Sequence, residues 1–203
     1  MRKTAEERKE QILTVALRLA DELGPDRLTT GAVANAIGLT QPAIFRHFPT
    51  KQALWAALAE RIRRRMNSSW QTALGGQTAP EARIAAVINT QLYTIAENPA
   101  LPAILFSREL QVENGELRKT FAGAMAAFRS LLHDEVAKGR DAGTFRRDLD
   151  PSDAAALLLS LVQGLAIRWS LGAREFDVRQ EGAHLLQVQL RLFAASPPED
   201  GVL

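Results

Sequence analysis

A chain of 203 residues, 46% hydrophobic and without cysteine, can bury a sizeable core. It cannot build a disulfide framework or a thiolate metal site, and it fits a reducing cytosol. Net charge is only +2, but residues 1–66 carry twelve Lys/Arg against seven Asp/Glu (+5) and residues 67–203 thirteen against sixteen (−3), as expected of one polyanion-binding module or of chance.

The elements read almost entirely as helix. Thr4 with Glu7 has capping-box spacing. The helix it opens runs to about Leu23, with Ile12, Leu13, Ala16, Leu19, Ala20 and Leu23 on one face, and Gly24-Pro25-Asp26 ends it. The start of the chain, Met1-Arg2-Lys3-Thr4-Ala5-Glu6-Glu7, turns polar at once, so it is not read as a signal peptide.

Residues Thr29 to Lys51 read TTGAVANAIGLTQPAIFRHFPTK, two short helical patterns broken by Gly38-Leu39-Thr40. Thr29 or Thr30 can cap the first, whose apolar face is Val33, Ala34 and Ile37. Gly38 sits where a helix ends in a left-handed turn. Thr40 can cap the second, and Pro42 falls in its first turn, where a missing N–H costs nothing. Ile44 and Phe48 should face inward, leaving Gln41, Ala43, Phe45, Arg46 and His47 on the outer and flanking surface. Pro49-Thr50 stops this helix, and a long one begins near Lys51. It carries Leu54, Leu58 and Ile62 four apart and a basic run, Arg61, Arg63, Arg64 and Arg65.

A domain transition is placed near Met66, giving residues 1–66 and 67–203. After the loop Gly75-Gly76-Gln77-Thr78, a helix is expected from Pro80 to Asn98. Pro99 and Pro102 bracket a turn before a helix from Ala103 to about Val112. Asn114-Gly115 breaks it, and a long helix follows from Glu116 to Ala142. Asp150 as cap and Pro151 as first residue open a helix to Leu171, and a last one runs from about Val178 to Ala195. The Ser196-Pro197-Pro198 tail reads as loose. No apolar run approaches the roughly 18 residues of a membrane span, so no membrane partner is expected.

The helix to Leu171 is apolar nearly all round and must be covered on all sides. The last helix is also apolar over more than one stripe. Pairing of both with their copies in a second subunit would cover them in a two-fold four-helix bundle. Leu158, Leu161, Leu165, Leu185, Val188 and Leu192 are the residues named for that interface. A large monomeric core is the other way to cover them.

Residues from about Ala5 to Leu58 resemble the DNA-binding domain of the tetracycline-repressor (TetR/AcrR) family. The resemblance is carried by Leu28-Thr29-Thr30, Ile37-Gly38-Leu39-Thr40, Phe45-Arg46-His47-Phe48 and Lys51-Gln52-Ala53-Leu54. It implies an all-α fold, with an N-terminal three-helix helix-turn-helix domain and a C-terminal helical ligand-binding and dimerisation domain. The DNA-binding set is then Thr30, Thr40, Gln41, Pro42, Ala43, Phe45, Arg46, His47 and Lys51. Gln41 can pair with adenine, and Pro42 and Ala43 are small enough to approach thymine methyls. Arg46 reaches a guanine or a phosphate, and Thr30, Thr40 and Lys51 stand at helix starts, where phosphates are held. His47 matches a phosphate-contacting position of the family. Phe45 replaces the usual Tyr and cannot make the phenol's phosphate bond. Arg2 and Lys3 offer a short minor-groove arm.

The same resemblance implies a small-molecule effector held within the C-terminal helices. Tyr93, Phe106, Met125, Phe128, Leu132, Val162, Gln163 and Trp169 are the candidate lining residues. Met and aromatic side chains suit a plastic apolar cavity. Nothing points to catalysis, a metal or a cofactor: His47, His133 and His184 have no metal-ligand spacing, and no GxGxxG, Walker or GxSxG motif occurs. Asp148 and Asp150 sit at a helix start, where capping explains them. The function expected is a cytoplasmic, dimeric, ligand-responsive repressor that leaves a pseudo-palindromic operator when its effector binds. The rival is a helical small-molecule-binding or interaction protein without sequence-specific DNA binding.

Overall fold

The computed structural model describes residues 3–195, so Arg2 of the suggested arm and the Ser196-Pro197-Pro198 tail lie outside the described residues. Ten helices are formed there: α1 Ala5–Leu23, α2 Thr30–Ala36, α3 Gln41–Phe45, α4 Lys51–Gly75, α5 Pro80–Glu97, α6 Ala100–Phe106, α7 Arg108–Glu113, α8 Gly115–Asp141, α9 Pro151–Leu171 and α10 Val178–Phe193. Residues up to Arg65 form one compact unit with Asn98–Gly123, and Met66–Glu97 form a second with the residues from Ala124 onward. A single cut at residue 66 separates 98–123 from the unit they pack with, because that packing is a long-range contact that no local signal records.

In the first unit, α1 begins with the capping box in full: the Thr4 N–H donates to Glu7 Oε2 at 2.7 Å, and the Glu7 N–H to Thr4 Oγ1 at 3.2 Å. Hydrogen bonds from the Thr4 backbone and side chain to the carboxylate hold the Glu7 carboxyl below its ordinary value. α1 packs on α2 and α6, and α2 packs on α3. Ile12, Ala16, Val33 and Ile44 are fully buried there. Gly38, at φ 67°, turns the chain out of α2, while the Gly38 and Leu39 N–H groups return to Asn35 and Ala34 carbonyls at 3.2 and 2.9 Å. This Schellman-type closure satisfies the last carbonyls of α2 and aims the chain into α3.

The helix pattern differs most from expectation at residues 99–112. Residues 99–112 form two helices, not a turn and one helix. Pro99 is the N-cap of α6, and Pro102 sits in its first turn, where no N–H is missed. Ser107 then leaves helical geometry (ψ 110°) and caps α7, accepting from the Leu110 N–H at 3.0 Å. The same hydroxyl donates to Asp26 at 2.6 Å. A serine with two outside partners is better satisfied as a cap than inside a continuous helix.

In the second unit α10 packs on α5 and α9, and α5 on α9. Gly182 lets α10 approach closely, since a Cβ there would collide with Leu92 of α5. Asp150 caps α9 by accepting from the Ser152 and Asp153 N–H groups at 2.7 and 3.1 Å. α10 ends at Phe193, two residues before the expected end, because Ala194 is extended and bridges to Phe145. Glu135, 2% exposed, receives Arg83 at 2.7 and 3.1 Å and Lys138 at 2.8 Å. Burial alone would raise its pKa, but the bonds from Arg83 and Lys138 outweigh burial and hold it below the ordinary value. Arg83 also donates to the carbonyls of Leu74 and Gln77, so one guanidinium ties the end of α4 and the following loop to α8.

Candidate nucleic-acid interface

The α2–α3 turn sorts the expected DNA-contacting residues into two groups. Gln41, Pro42, Phe45 and Arg46 are exposed on α3 and its end, Thr40 is exposed just before it, and His47 and Lys51 are half-buried beside it. Thr40 stands at the N-cap position but makes no cap bond, so its hydroxyl is not committed to its own helix. Phe45 is 39% exposed, although its neighbours Ile44 and Phe48 are buried at 0% and 5%. An apolar ring left at the surface of a small helix suits contact with another apolar group, such as a thymine methyl.

Two expected contacts are corrected. Ala43 is 7% exposed and faces the core of its unit, because the five-residue α3 turns it to the same side as Ile44. Thr30 is 6% exposed, and its hydroxyl accepts from Gln41 Nε2 at 2.8 Å, so it is not presented to a phosphate. Thr29, not Thr30, caps α2, accepting from the Ala32 N–H at 3.0 Å.

The basic run on α4 is less available than the sequence suggests. Arg61 is committed to Glu10 at 3.0 Å and Thr14 at 2.9 Å. Arg63 chelates Glu60 with two bonds of 2.7 Å, and these bonds lower the Glu60 pKa and raise that of Arg63. Arg64 stands 3.7 Å from Glu60. Arg46 and Lys51, which flank the end of α3 in the sequence, hold no salt bridge among the described residues.

The residues expected at a subunit interface are also sorted by burial. Leu158 and Leu165 are 0% and 3% exposed and belong to the chain's own core, so they are corrected as interface residues. Leu161, Leu185 and Val188 are half-buried, and Leu192 is 63% exposed. Leu157, Ile167 and Leu171, which are not in the expected interface set, are exposed at 51%, 36% and 82%. They complete a stripe through Leu161 and the exposed Gly164, spaced three and four apart along α9. That spacing was the signal that could have found them. By length and mean hydropathy of 1.5, α9 is also apolar enough to cross a membrane, a property the sequence reading did not register. It carries that hydropathy because it has two apolar faces, one of them on α5 and α10.

The effector residues are not brought together as one lining. Tyr93 and Phe106 are 54% and 44% exposed, and Phe106 belongs to the first unit. Phe128, Leu132 and Val162 are buried at 1%, 0% and 4%, with Phe128 against Trp70 at a ring separation of 4.7 Å. The half-buried Met125 and Gln163 meet, Nε2 to Sδ, at 3.8 Å. Close by in the sequence pattern but unforeseen is a buried polar pair, Trp70 Nε1–H donating to Gln91 Oε1 at 2.9 Å. Trp169 instead lines an open cleft of about 390 Å³ with Ala96 and residues 174–179. Its aromatic faces are occupied by the chain's own cations, Arg174 over Trp169 at 5.5 Å and Arg168 over Phe176 at 4.7 Å. Among the described residues no group of His, Asp and Glu has the arrangement of a metal site.

Residues 12–58 match the bacterial regulatory proteins of the tetR family, and residues 80–193 match the C-terminal region of BetI-type transcriptional repressors. The nucleoid occlusion factor SlmA of Glaesserella parasuis is 30% identical over 172 residues, covering 82% of this chain and 83% of that protein. A transcriptional regulator from Saccharomonospora viridis, solved with choline, has the same fold at TM-score 0.84 and 20% identity, over 95% of this chain and 100% of that one. FadR of Bacillus subtilis, solved with stearoyl-CoA, matches at TM-score 0.75 and 18% identity, over 89% and 97% of the two chains.

Proposed function

Because the chain belongs to the TetR family of transcriptional regulators and is a ligand-responsive DNA-binding regulator of that kind, we propose that it is a dimeric repressor of a pseudo-palindromic operator. The observation that carries this is the exposed face of α3, where Gln41, Pro42, Phe45 and Arg46 stand outward with Thr40, His47 and Lys51 around them. Gln41 reads a base, Phe45 and Pro42 meet thymine methyls, and Lys51 with Thr40 and His47 hold phosphates. Two copies pair through Leu157, Leu161, Gly164, Ile167 and Leu171 of α9 and Leu185, Val188 and Leu192 of α10. The pairing hides the apolar stripe and places two reading helices on one duplex. Repression follows from occupancy of a promoter.

The effector region lies in the second unit, around Met125, Phe128, Leu132, Val162 and Gln163, with Gln91, whose carbonyl is held by Trp70 and whose amide N–H groups remain, as the buried polar anchor. An effector acts by binding more tightly to a dimer state of low operator affinity, and only that difference shifts occupancy. Choline and stearoyl-CoA, seen in two proteins of the same fold, are the first compounds to screen for release of DNA. The likeness to a nucleoid occlusion factor supports a second reading, a DNA-binding protein that acts in nucleoid occlusion, not at one promoter.

Gel retardation with duplexes from upstream of its own gene, at two salt concentrations, tests the proposal. The expected result is a specific complex that weakens with salt. A complex of equal strength with every duplex would contradict it, and specific complexes only with duplexes from outside promoters would favour the second reading.

A further inference from the structure

Thr30 and Gln41 lie on successive helices, and the Gln41 Nε2–H donates to the Thr30 hydroxyl at 2.8 Å. Thr30 is 6% exposed, and α2 does not need it as a cap, since Thr29 accepts from the Ala32 N–H at 3.0 Å. The Thr30 hydroxyl therefore serves a partner on the neighbouring helix. That partner is the one long amide side chain at the start of the reading helix.

The bond has a chemical consequence. A free glutamine side chain samples many rotamers, and ordering it on DNA costs free energy. A bond already made in the free protein removes part of that cost. A primary amide has two N–H donors and one carbonyl acceptor. With one N–H held by Thr30, one N–H and the carbonyl oxygen remain. The major-groove edge of adenine needs one of each, since N7 accepts and the N6 amino group donates. Guanine offers two acceptors and cytosine one donor, so neither uses both remaining groups.

We propose that Thr30 is a positioning residue for sequence recognition, holding Gln41 so that its remaining N–H and its carbonyl oxygen select adenine in each half-site. This rests on the DNA-reading function proposed above.

The test starts from duplexes enriched from random sequence by the wild-type protein. Gln41→Ala first identifies the base pair that depends on Gln41. Thr30→Val, which removes the hydroxyl, and Thr30→Ser, which keeps it, are then titrated against duplexes carrying each base there. Thr30→Val should lower the preference for adenine about five- to tenfold and leave the salt dependence unchanged, a fraction of a full bidentate contact. Thr30→Ser should restore it, and Thr30→Val should add nothing in the Gln41→Ala background. Thermal unfolding of Thr30→Val by circular dichroism shows whether the fold is retained; if it is lost, the Thr30→Ser result and the base preference of the wild type decide. Uniform weakening on all duplexes would make Thr30 a phosphate contact and overturn the proposal. So would an unchanged adenine preference, or a wild-type preference for another base. A wild-type protein that enriches no sequence defeats the functional reading itself, and that result is seen before any variant is made.

Discussion

The short exposed helix α3 and the apolar outer face of α9 solve opposite problems. α3 is five residues long, and neighbours in sequence decide nearly everything about it: Gly38 turns the chain, Pro42 fits the first turn, and Ile44 and Phe48 anchor it. α9 is twenty-one residues long and apolar nearly all round, so local chemistry makes it a helix but does not say which side meets what. Leu157 and Leu158 are adjacent and identical in type, yet one is 51% exposed and the other 0%. Short-range structure is written in the identity of residues, whereas the division of an apolar helix between its own core and an outer face is written in packing geometry.

The sharpest way to break the comparison is to charge one side of α9. Leu157→Asp with Leu171→Asp should dissociate the dimer by about 4 kcal/mol or more, as for buried charges at an interface centre, while each chain stays folded. Sedimentation velocity reads the first effect and thermal unfolding the second. Leu158→Asp, one residue away, should instead unfold the chain. If Leu157→Asp and Leu158→Asp behave alike, the two faces have been misassigned.

Next in size is Glu135→Gln, which removes the charge paired with Arg83 and Lys138 and should cost about 3 kcal/mol, as when one member of a largely buried pair is neutralised. Chemical denaturation measures it. The sign of the pH dependence follows from the lowered pKa. Glu135 binds its proton more weakly in the folded chain than in the unfolded one, so its contribution is complete above the ordinary value of 4.5 and is lost as pH falls through the lowered folded value. The variant should therefore lose less stability than the wild type on acidification across that window.

In the head, Gln41→Ala should reduce discrimination at one base pair per half-site by roughly 1–3 kcal/mol, read by competition gel retardation. Lys51→Ala should have the smallest effect, weakening all duplexes alike by a few-fold and lowering the salt slope by about one. A sequence-dependent effect of Lys51→Ala would remove it from the phosphate contacts.

The sequence was a good guide where one residue type had one plausible task. The capping box of Thr4 and Glu7, the Gly38 turn, the Asp150 cap and the inward Ile44 and Phe48 all stand as read. The all-helical fold and the family were legible from the same signals. The reading failed where two tasks compete for one residue. Ser107 could continue a helix or cap one, and its bond to Asp26, 81 positions away, favours the cap. Thr30 looked like a phosphate ligand until its partner on the next helix, Gln41, appeared, and Ala43 looked exposed until the short α3 turned it inward. Arg61 carried charge in the sequence but is tied to Glu10 and Thr14 from α1. The effector set was the least legible, because Met125, Phe128 and Val162 have the composition of a ligand pocket and of a core alike.

The most direct test of the central claim is selection of binding sites from random double-stranded DNA by the purified protein. Two reading helices related by a two-fold axis should enrich an inverted repeat, with half-sites about one helical turn or more apart. A lone half-site, or no enriched sequence, would contradict the account.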